Sequence, residues 1–355
     1  MFNKKTVVVI GAGASEEAKL PTGKEIKEII AKLLDIRFED GISWISGDRT
    51  ILNALKIHVR LPDGHPGDIN PYLLAGWTIR DAMPQAMSID NFMDAHNGDK
   101  KIELCGKLSI VRTILQAEKK SCLYVDSERR GQHPDYQLLA VTWFTSFMQL
   151  LTENCRLDDL ADRVRFITLI VFNYDRCIEH FLYHSLQTYY RVEARRAAEI
   201  VNAIEIYHPY GTVGHLPWQN RGKSVDFGEE PSAEQLLSSA EQIKTFAEGT
   251  DTNSSDILKI RQRVMEADIL VFLGFAFHYL NLKLLTPVAS STSVSTVGSY
   301  DYFATAFGIS KSDCEIIKND LARMKGAEPT SANLRNDLKC NELFREYWRS
   351  LSLSR

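Results

Sequence analysis

Val7-Val8-Val9-Ile10 runs without a polar interruption into Gly11-Ala12-Gly13-Ala14-Ser15. A strand that is apolar on both faces has no side suited to water, which is the pattern of a parallel sheet covered by helices on both sides. Glycines placed directly after such a strand permit a tight turn and a close backbone approach to a phosphate. The next segment, Thr22–Leu34, keeps Ile26, Ile29, Ile30, Leu33 and Leu34 at near-helical spacing. The opening therefore reads as strand, glycine loop, helix. A helix N-terminus beyond the loop adds a favourable field for negative charge. The dinucleotide fingerprint calls for a third glycine at position 16, where the chain has Glu16, and no Gly-Lys-Thr/Ser P-loop is present. We therefore expect a nucleotide-binding loop at Gly11, Ala12, Gly13 and Ser15 that is not the usual dehydrogenase signature. Asp35 falls roughly where a ribose-binding acid sits in that signature, but a helix intervenes.

Three later apolar runs repeat the pattern. Phe166–Phe172 stops at Asn173-Tyr174-Asp175, Val201–Tyr207 stops at His208-Pro209-Tyr210-Gly211, and Ile269–Leu273 stops at Gly274. Residues 35–160 differ in texture. Polar turns separate helical candidates at Tyr72–Arg80, Cys105–Lys120 and Tyr136–Leu150, and no long β-branched run occurs. Arg176–Leu186 and Leu343–Leu351 also read as helices. The stretch Gly222–Ser255 reads as a surface loop followed by a helix, and Ser290–Ser299 as either a strand or a flexible loop. The expected fold is α/β: a Rossmann-like, mostly parallel sheet with helices on both faces. Its core would comprise residues 1–34 and 161–355, with a mostly helical insertion at 35–160.

A net charge of -4 offers no strong positive excess for nucleic acid, so direct nucleic-acid binding is not expected. The six cysteines form no CxxC pair and read as reduced core residues, so no zinc or other metal site is expected. Met1–Thr6 is short and polar, and no apolar run is long enough for a membrane span; a cytoplasmic location is expected.

In open parallel sheets the ligand crevice lies outside the carboxyl ends of the strands. That rule singles out the loops carrying Ser15, Asn173, His208 and Gly274. Asn173 can donate and accept, so it suits a sugar hydroxyl or a water, while Asp175 can accept from an amide or hydroxyl. An Asn/Asp turn or a helix cap accounts for the same two residues. His208, with its near-neutral titration, suits a general base for a ribose hydroxyl; a structural histidine is the plain alternative. Gly274-Phe275-Ala276-Phe277 can offer backbone amides beside a cofactor or simply turn the chain.

Taken together, GAGAS at 11–15, PTG at 21–23, FNYD at 172–175, HPYG at 208–211 and GFAF at 274–277 resemble the SIR2-like (sirtuin-related) family, above all its bacterial NAD-hydrolysing defence branch. The likeness covers residues 5–34 and about 163–310. It implies that Gly11, Gly13 and Ser15 hold the NAD diphosphate, that Asn173 places the water beside the nicotinamide ribose, and that Asp175 shapes the nicotinamide side. It further implies that His208 serves as base and that Gly274 lines the site. The chain lacks the four-cysteine zinc module of the protein deacylases and reads Leu-Pro-Thr-Gly-Lys-Glu where they carry Asp-Phe-Arg. The expected activity is therefore hydrolysis of NAD+ to nicotinamide and ADP-ribose in antiphage defence. A non-catalytic NAD or ADP-ribose sensor, and an NAD-dependent deacylase or ADP-ribosyltransferase, are the alternatives. The resemblance also implies a homo-oligomer, controlled by a separate ATPase or a phage-derived activator.

Overall fold

Six strands form one sheet: β1 (Thr6–Ile10), β2 (Ile167–Val171), β3 (Glu205–Tyr207), β4 (Ile269–Leu273), β5 (Asp301–Thr305) and β6 (Ser331–Arg335). Every pairing is parallel, in the spatial order 3-2-1-4-5-6. The structure, a computed structural model, describes residues 2–126, 133–220, 222–249, 255–286, 300–326 and 329–352. The architecture is a Rossmann-like α/β fold.

The apolar run in β1 explains its central place. Val8 pairs with Leu169 of β2 on one side and with Val271 of β4 on the other. Because side chains alternate along a strand, each face receives every second residue. Val7 and Val9 enter a core with Ile30, Leu34, Leu108 and Val111, while Val8 and Ile10 enter a second core with Phe144, Phe147, Phe181 and Leu343. Both cores draw on helices, so the sheet is covered on both faces.

Residues 35–160 supply much of that cover. They include a small antiparallel hairpin, Arg37–Glu39 with Ser43–Ser46, and helices that culminate in the 21-residue Lys100–Lys120. That long helix starts cleanly because Asp99 Oδ1 accepts from the amides of Lys101 and Ile102. Its Leu108, Val111 and Leu115 pack in the first core and its Ala117 in the second.

Several expected elements need correction. Val201–Tyr207 is not one strand: a helix runs Ala194–Asn202, and only Glu205–Tyr207 is extended. The apolar residues Ile200 and Val201 are buried from the helix. Tyr136–Leu150 splits into helices Tyr136–Leu139 and Trp143–Thr152, with Thr142 in extended conformation before the second. The C-terminal helix is likewise two short pieces, Cys340–Glu346 and Trp348–Leu351. Gly222–Ser255 contains helix Ala233–Ala240, entered through a Ser232 cap. Ser290–Ser299 lies outside the described residues. Strands β5 and β6 have no counterpart among the expected apolar runs. β6 reads Ser-Ala-Asn-Leu-Arg, is nowhere fully buried and pairs only with β5, so it carries little of the apolar signal by which strands are found.

Candidate functional site

β1 and β4 are neighbours in the sheet but lie on opposite branches of its winding, and at such a switch point a crevice lies outside the strands' carboxyl ends. The C-terminal loops of the two strands interlock. The Gly11 amide donates to the Leu273 carbonyl at 2.9 Å and the Gly13 amide to the Gly274 carbonyl at 3.1 Å. A Cβ on Gly11 would stand 2.5 Å from the Gly274 oxygen, and one on Gly274 would stand 2.0 Å from the Ala14 nitrogen. Gly274 also adopts φ +54°, in the left-handed region that favours glycine. The glycines are thus demanded first by loop against loop. The expectation that Gly11 and Gly13 leave room directly for a diphosphate is modified accordingly, although all three glycines line the crevice. Gly274→Ala is expected to destabilise the fold by about 2–5 kcal/mol, combining left-handed strain with overpacking. Chemical denaturation measures this, and a loss below about 1 kcal/mol would mean that the loops yield easily.

The helix expected at Thr22–Leu34 runs Gly23–Leu34, set apart from the glycine loop by a single turn at Ala12–Ser15 and by a left-handed Lys19. At its start the Thr22 amide donates to Glu25 Oε2 at 2.8 Å in a capping box. Thr22 and Gly23 still line the crevice.

The crevice holds a cavity of about 700 Å³, within the range of small-molecule sites. A smaller hollow of about 120 Å³ adjoins it, walled by Leu20, Ile26, Ile89, Ile110 and Ile114 and ending at Ser15 and Asp175. Ala12, Gly23, Ser88, Asp90, Phe172 and Asn173 line both spaces and so form the wall that they share.

From that shared wall three buried polar side chains form a chain. Asn173 Nδ2 donates to Ser15 Oγ at 2.9 Å, and Ser15 Oγ donates to Asp175 Oδ2 at 2.8 Å. The Cys177 amide donates to Asp175 Oδ1 at 3.1 Å and fixes the carboxylate. With Nδ2 committed to Ser15, the amide oxygen Oδ1 is the group of Asn173 chemically suited to accept from a water or a sugar hydroxyl. The cap alternative for Asp175 and a site role coexist here, because one oxygen caps the helix and the other orders Ser15.

His208 is placed differently from the expectation. It is close to Asn173 but lines neither space. Its Nε2 faces Glu179 Oε1 at 2.7 Å and its Nδ1 faces the Asn173 carbonyl at 3.3 Å. A doubly protonated ring satisfies both acceptors. Burial opposes that charge, but the Glu179 carboxylate and the Asn173 carbonyl outweigh it and raise the ring's pKa. A folded-state pKa above the unfolded value contributes stability that is complete below the unfolded pKa and is lost as pH rises through the folded one. Wild-type protein is therefore expected to lose its thermal advantage over Glu179→Gln as pH rises from about 6 to 9. Melting curves across that range check it; a constant difference would show that the ring is neutral throughout.

Other residues at the site carry no clear signal in the sequence. Tyr174 donates its phenol to Asp90 Oδ1, and Tyr210 donates to Asn281 Oδ1 at 2.5 Å. Thr305 Oγ1 accepts from the Gly274 amide at 2.8 Å. Lys339 reaches Glu16 at 3.2 Å across the cavity rim. Tyr174 and Tyr210 stand inside the FNYD and HPYG motifs, but Asp90 has only a capping pattern to mark it: the Asn91 amide donates to Ser88 Oγ at 3.0 Å. Asp35 pairs with Arg37 at 2.9 Å and Arg80 at 2.5 Å and lines neither space. Cys340 lines the large cavity, where burial pushes its thiol pKa well up. Among the described residues no group of three or more His, Cys, Asp or Glu is placed to hold a metal ion, and no helix is long and apolar enough to cross a membrane.

No protein-family model matches the sequence, and no curated protein matches it significantly.

Proposed function

We propose that the chain hydrolyses NAD+ at the nicotinamide–ribose bond, releasing nicotinamide and ADP-ribose. The observation that carries this reading is the placing of Asn173. It lines both a cavity of dinucleotide scale and a small apolar hollow, held there by Ser15 and Asp175. A flat apolar ring suits the hollow, and the ADP-ribose portion suits the large cavity along Gly11, Ala12, Gly13 and Gly274. The bond to be broken then lies beside Asn173. Departure of neutral nicotinamide leaves an electron-poor ribose carbon, and Asn173 Oδ1 orients the water that meets it. The resemblance of the motif set to SIR2-like NAD hydrolases supports the same assignment. In this reading His208 acts through Asn173: it grips the Asn173 carbonyl from behind and is itself held by Glu179, a positioning role in place of the direct base suggested by its motif.

The test is incubation of the purified chain with NAD+, with products separated by chromatography. Nicotinamide and ADP-ribose in equal amounts support hydrolysis. Cyclic ADP-ribose identifies cyclisation, and tight binding without turnover identifies a sensor. The biological setting we propose is cytoplasmic NAD+ depletion during antiphage defence, because an unrestrained hydrolase of this cofactor harms its own cell. A homo-oligomer restrained until a phage-derived trigger or a separate ATPase acts fits that need. Mass measurement in solution combined with turnover, with and without neighbouring gene products, tests it; a fully active monomer that is harmless in cells overturns it.

A further inference from the structure

Hydrolysis releases a proton from the attacking water, and His208 does not face the space where that water would stand. Of the six residues that line both the large cavity and the apolar hollow, Asp90 is the one ionisable side chain among the described residues. It sits in the first turn of helix Ile89–Ala95, behind the Ser88 cap, and so comes from the segment between β1 and β2 that the motif set does not cover. Its position is fixed from the sheet side by the phenol of Tyr174, the residue between Asn173 and Asp175. The phenol thus holds a carboxyl that lines both spaces.

We propose that Asp90 is the catalytic base of this site, taking the proton from the water that attacks the ribose carbon. This rests on the NAD+-cleavage reading. In the step, the bond between the ribose carbon and the nicotinamide nitrogen breaks, and its electron pair leaves with the ring, which becomes neutral. An oxygen–carbon bond forms from water, the water proton passes to the Asp90 carboxylate, and from there to solvent. The sum is NAD+ plus water giving nicotinamide, ADP-ribose and one proton. The same carboxylate, standing beside the electron-poor ribose carbon, also stabilises its developing positive charge.

The surroundings tune this carboxyl for the task. Burial raises its pKa, while the Tyr174 hydrogen bond and the field of His278 work in the opposite direction, with a net upward shift. Tyr210 and Asp94 also line the large cavity, and the field of both carboxylates is felt at the Tyr210 phenol. A carboxylate raised towards neutrality is a stronger base than an exposed one. The working form is deprotonated, so the rate must fall as pH drops through the Asp90 pKa. Tyr174→Phe removes an interaction that lowers this pKa, so the acid limb must move to higher pH.

The experiment follows nicotinamide release by the full chain from about pH 4 to 8, with folding checked by thermal melting. Asp90→Asn is expected to lower kcat roughly 10²–10⁴-fold, to leave ADP-ribose affinity by calorimetry little changed, and to erase the acid limb from the residual rate. Asp90→Glu is expected to restore part of the rate, and Tyr174→Phe to shift the limb upward. Should Asp90→Asn fail to fold, Asp90→Glu and Tyr174→Phe decide the same question through the position of their acid limbs: limbs unmoved from wild type overturn the assignment. A folded Asp90→Asn enzyme with wild-type kcat, or one that is slow but keeps the wild-type acid limb, overturns it too while NAD+ cleavage stands. A wild-type chain that binds NAD+ without cleaving it overturns the cleavage reading itself.

Discussion

Asn173→Ala is expected to lower kcat for NAD+ cleavage roughly 10²–10³-fold, the usual loss when one group that orients or stabilises the reacting centre is removed. The fold should survive. Ser15 keeps its hydrogen bond to Asp175 when the Asn173 amide is gone, and Asp175 keeps the Cys177 amide. The structural cost is thus that of one lost hydrogen bond, about 1 kcal/mol. Affinity for ADP-ribose should change little, because in the proposed placement the diphosphate lies along the loops of β1 and β4 and Asn173 meets only the ribose end. Kinetics paired with calorimetry separate the two effects. A variant that loses affinity and rate in equal measure would assign Asn173 to binding alone, and one with undiminished turnover would remove it from the mechanism.

Glu118→Ala should unfold a large fraction of the protein at moderate denaturant, with a loss of about 3–5 kcal/mol. That is a large share of the roughly 5–15 kcal/mol typical of a domain. Glu118 is fully buried at the end of the Lys100–Lys120 helix, and Arg176 is only 1% exposed. The guanidinium donates to both Glu118 oxygens, one of them at 2.5 Å, and to the carbonyls of Gly214, Val225 and Asp226. The Gly228 amide closes the cluster on Glu118 Oε2 at 2.9 Å. Removing the carboxylate leaves a cation in the interior with neutral acceptors alone. The double variant Glu118→Met with Arg176→Met should be milder than Glu118→Ala, because it removes both charges and keeps the volume. Urea titrations of both variants decide this; a double variant worse than the single would show that the carbonyl contacts of Arg176 matter more than the ion pair. The pair also bears on the site, since Arg176 directly follows Asp175.

Three of the four inner strands were legible because burial on both faces leaves an uninterrupted apolar run, whereas β5 opens on Asp301 and closes on Thr305. β1, β2 and β4 each show one, and each ends at a residue of the crevice. The glycine loop was legible for a related reason, since a backbone that must pass within contact distance of another backbone tolerates no side chain. Edge strands left no such mark. β6 buries little, and β3 is three residues long behind a helix whose own apolar face, Ile200 and Val201, imitates a continuation of the strand.

The site shows the same division. Asn173, Asp175 and Ser15 follow directly from strand ends, and the sheet brings them together across some 160 residues of sequence, as the Ser15–Asp175 bond shows. The side on which the His208 ring would fall was not in the sequence. That depends on Glu179, in the first turn of the following helix, which offers a carboxylate to the ring and lines neither space. Asp90 was equally hidden, because nothing local distinguishes an acidic residue in a capped first turn from an ordinary helix start. Sequence alone determined which backbone segments must be buried and which must lie close, since those demands act residue by residue through side-chain size and polarity. Tertiary structure decided which charged groups face the cavity and which face one another, because that depends on the packing of the 35–160 segment over the sheet, and long-range packing leaves no periodic trace in the chain.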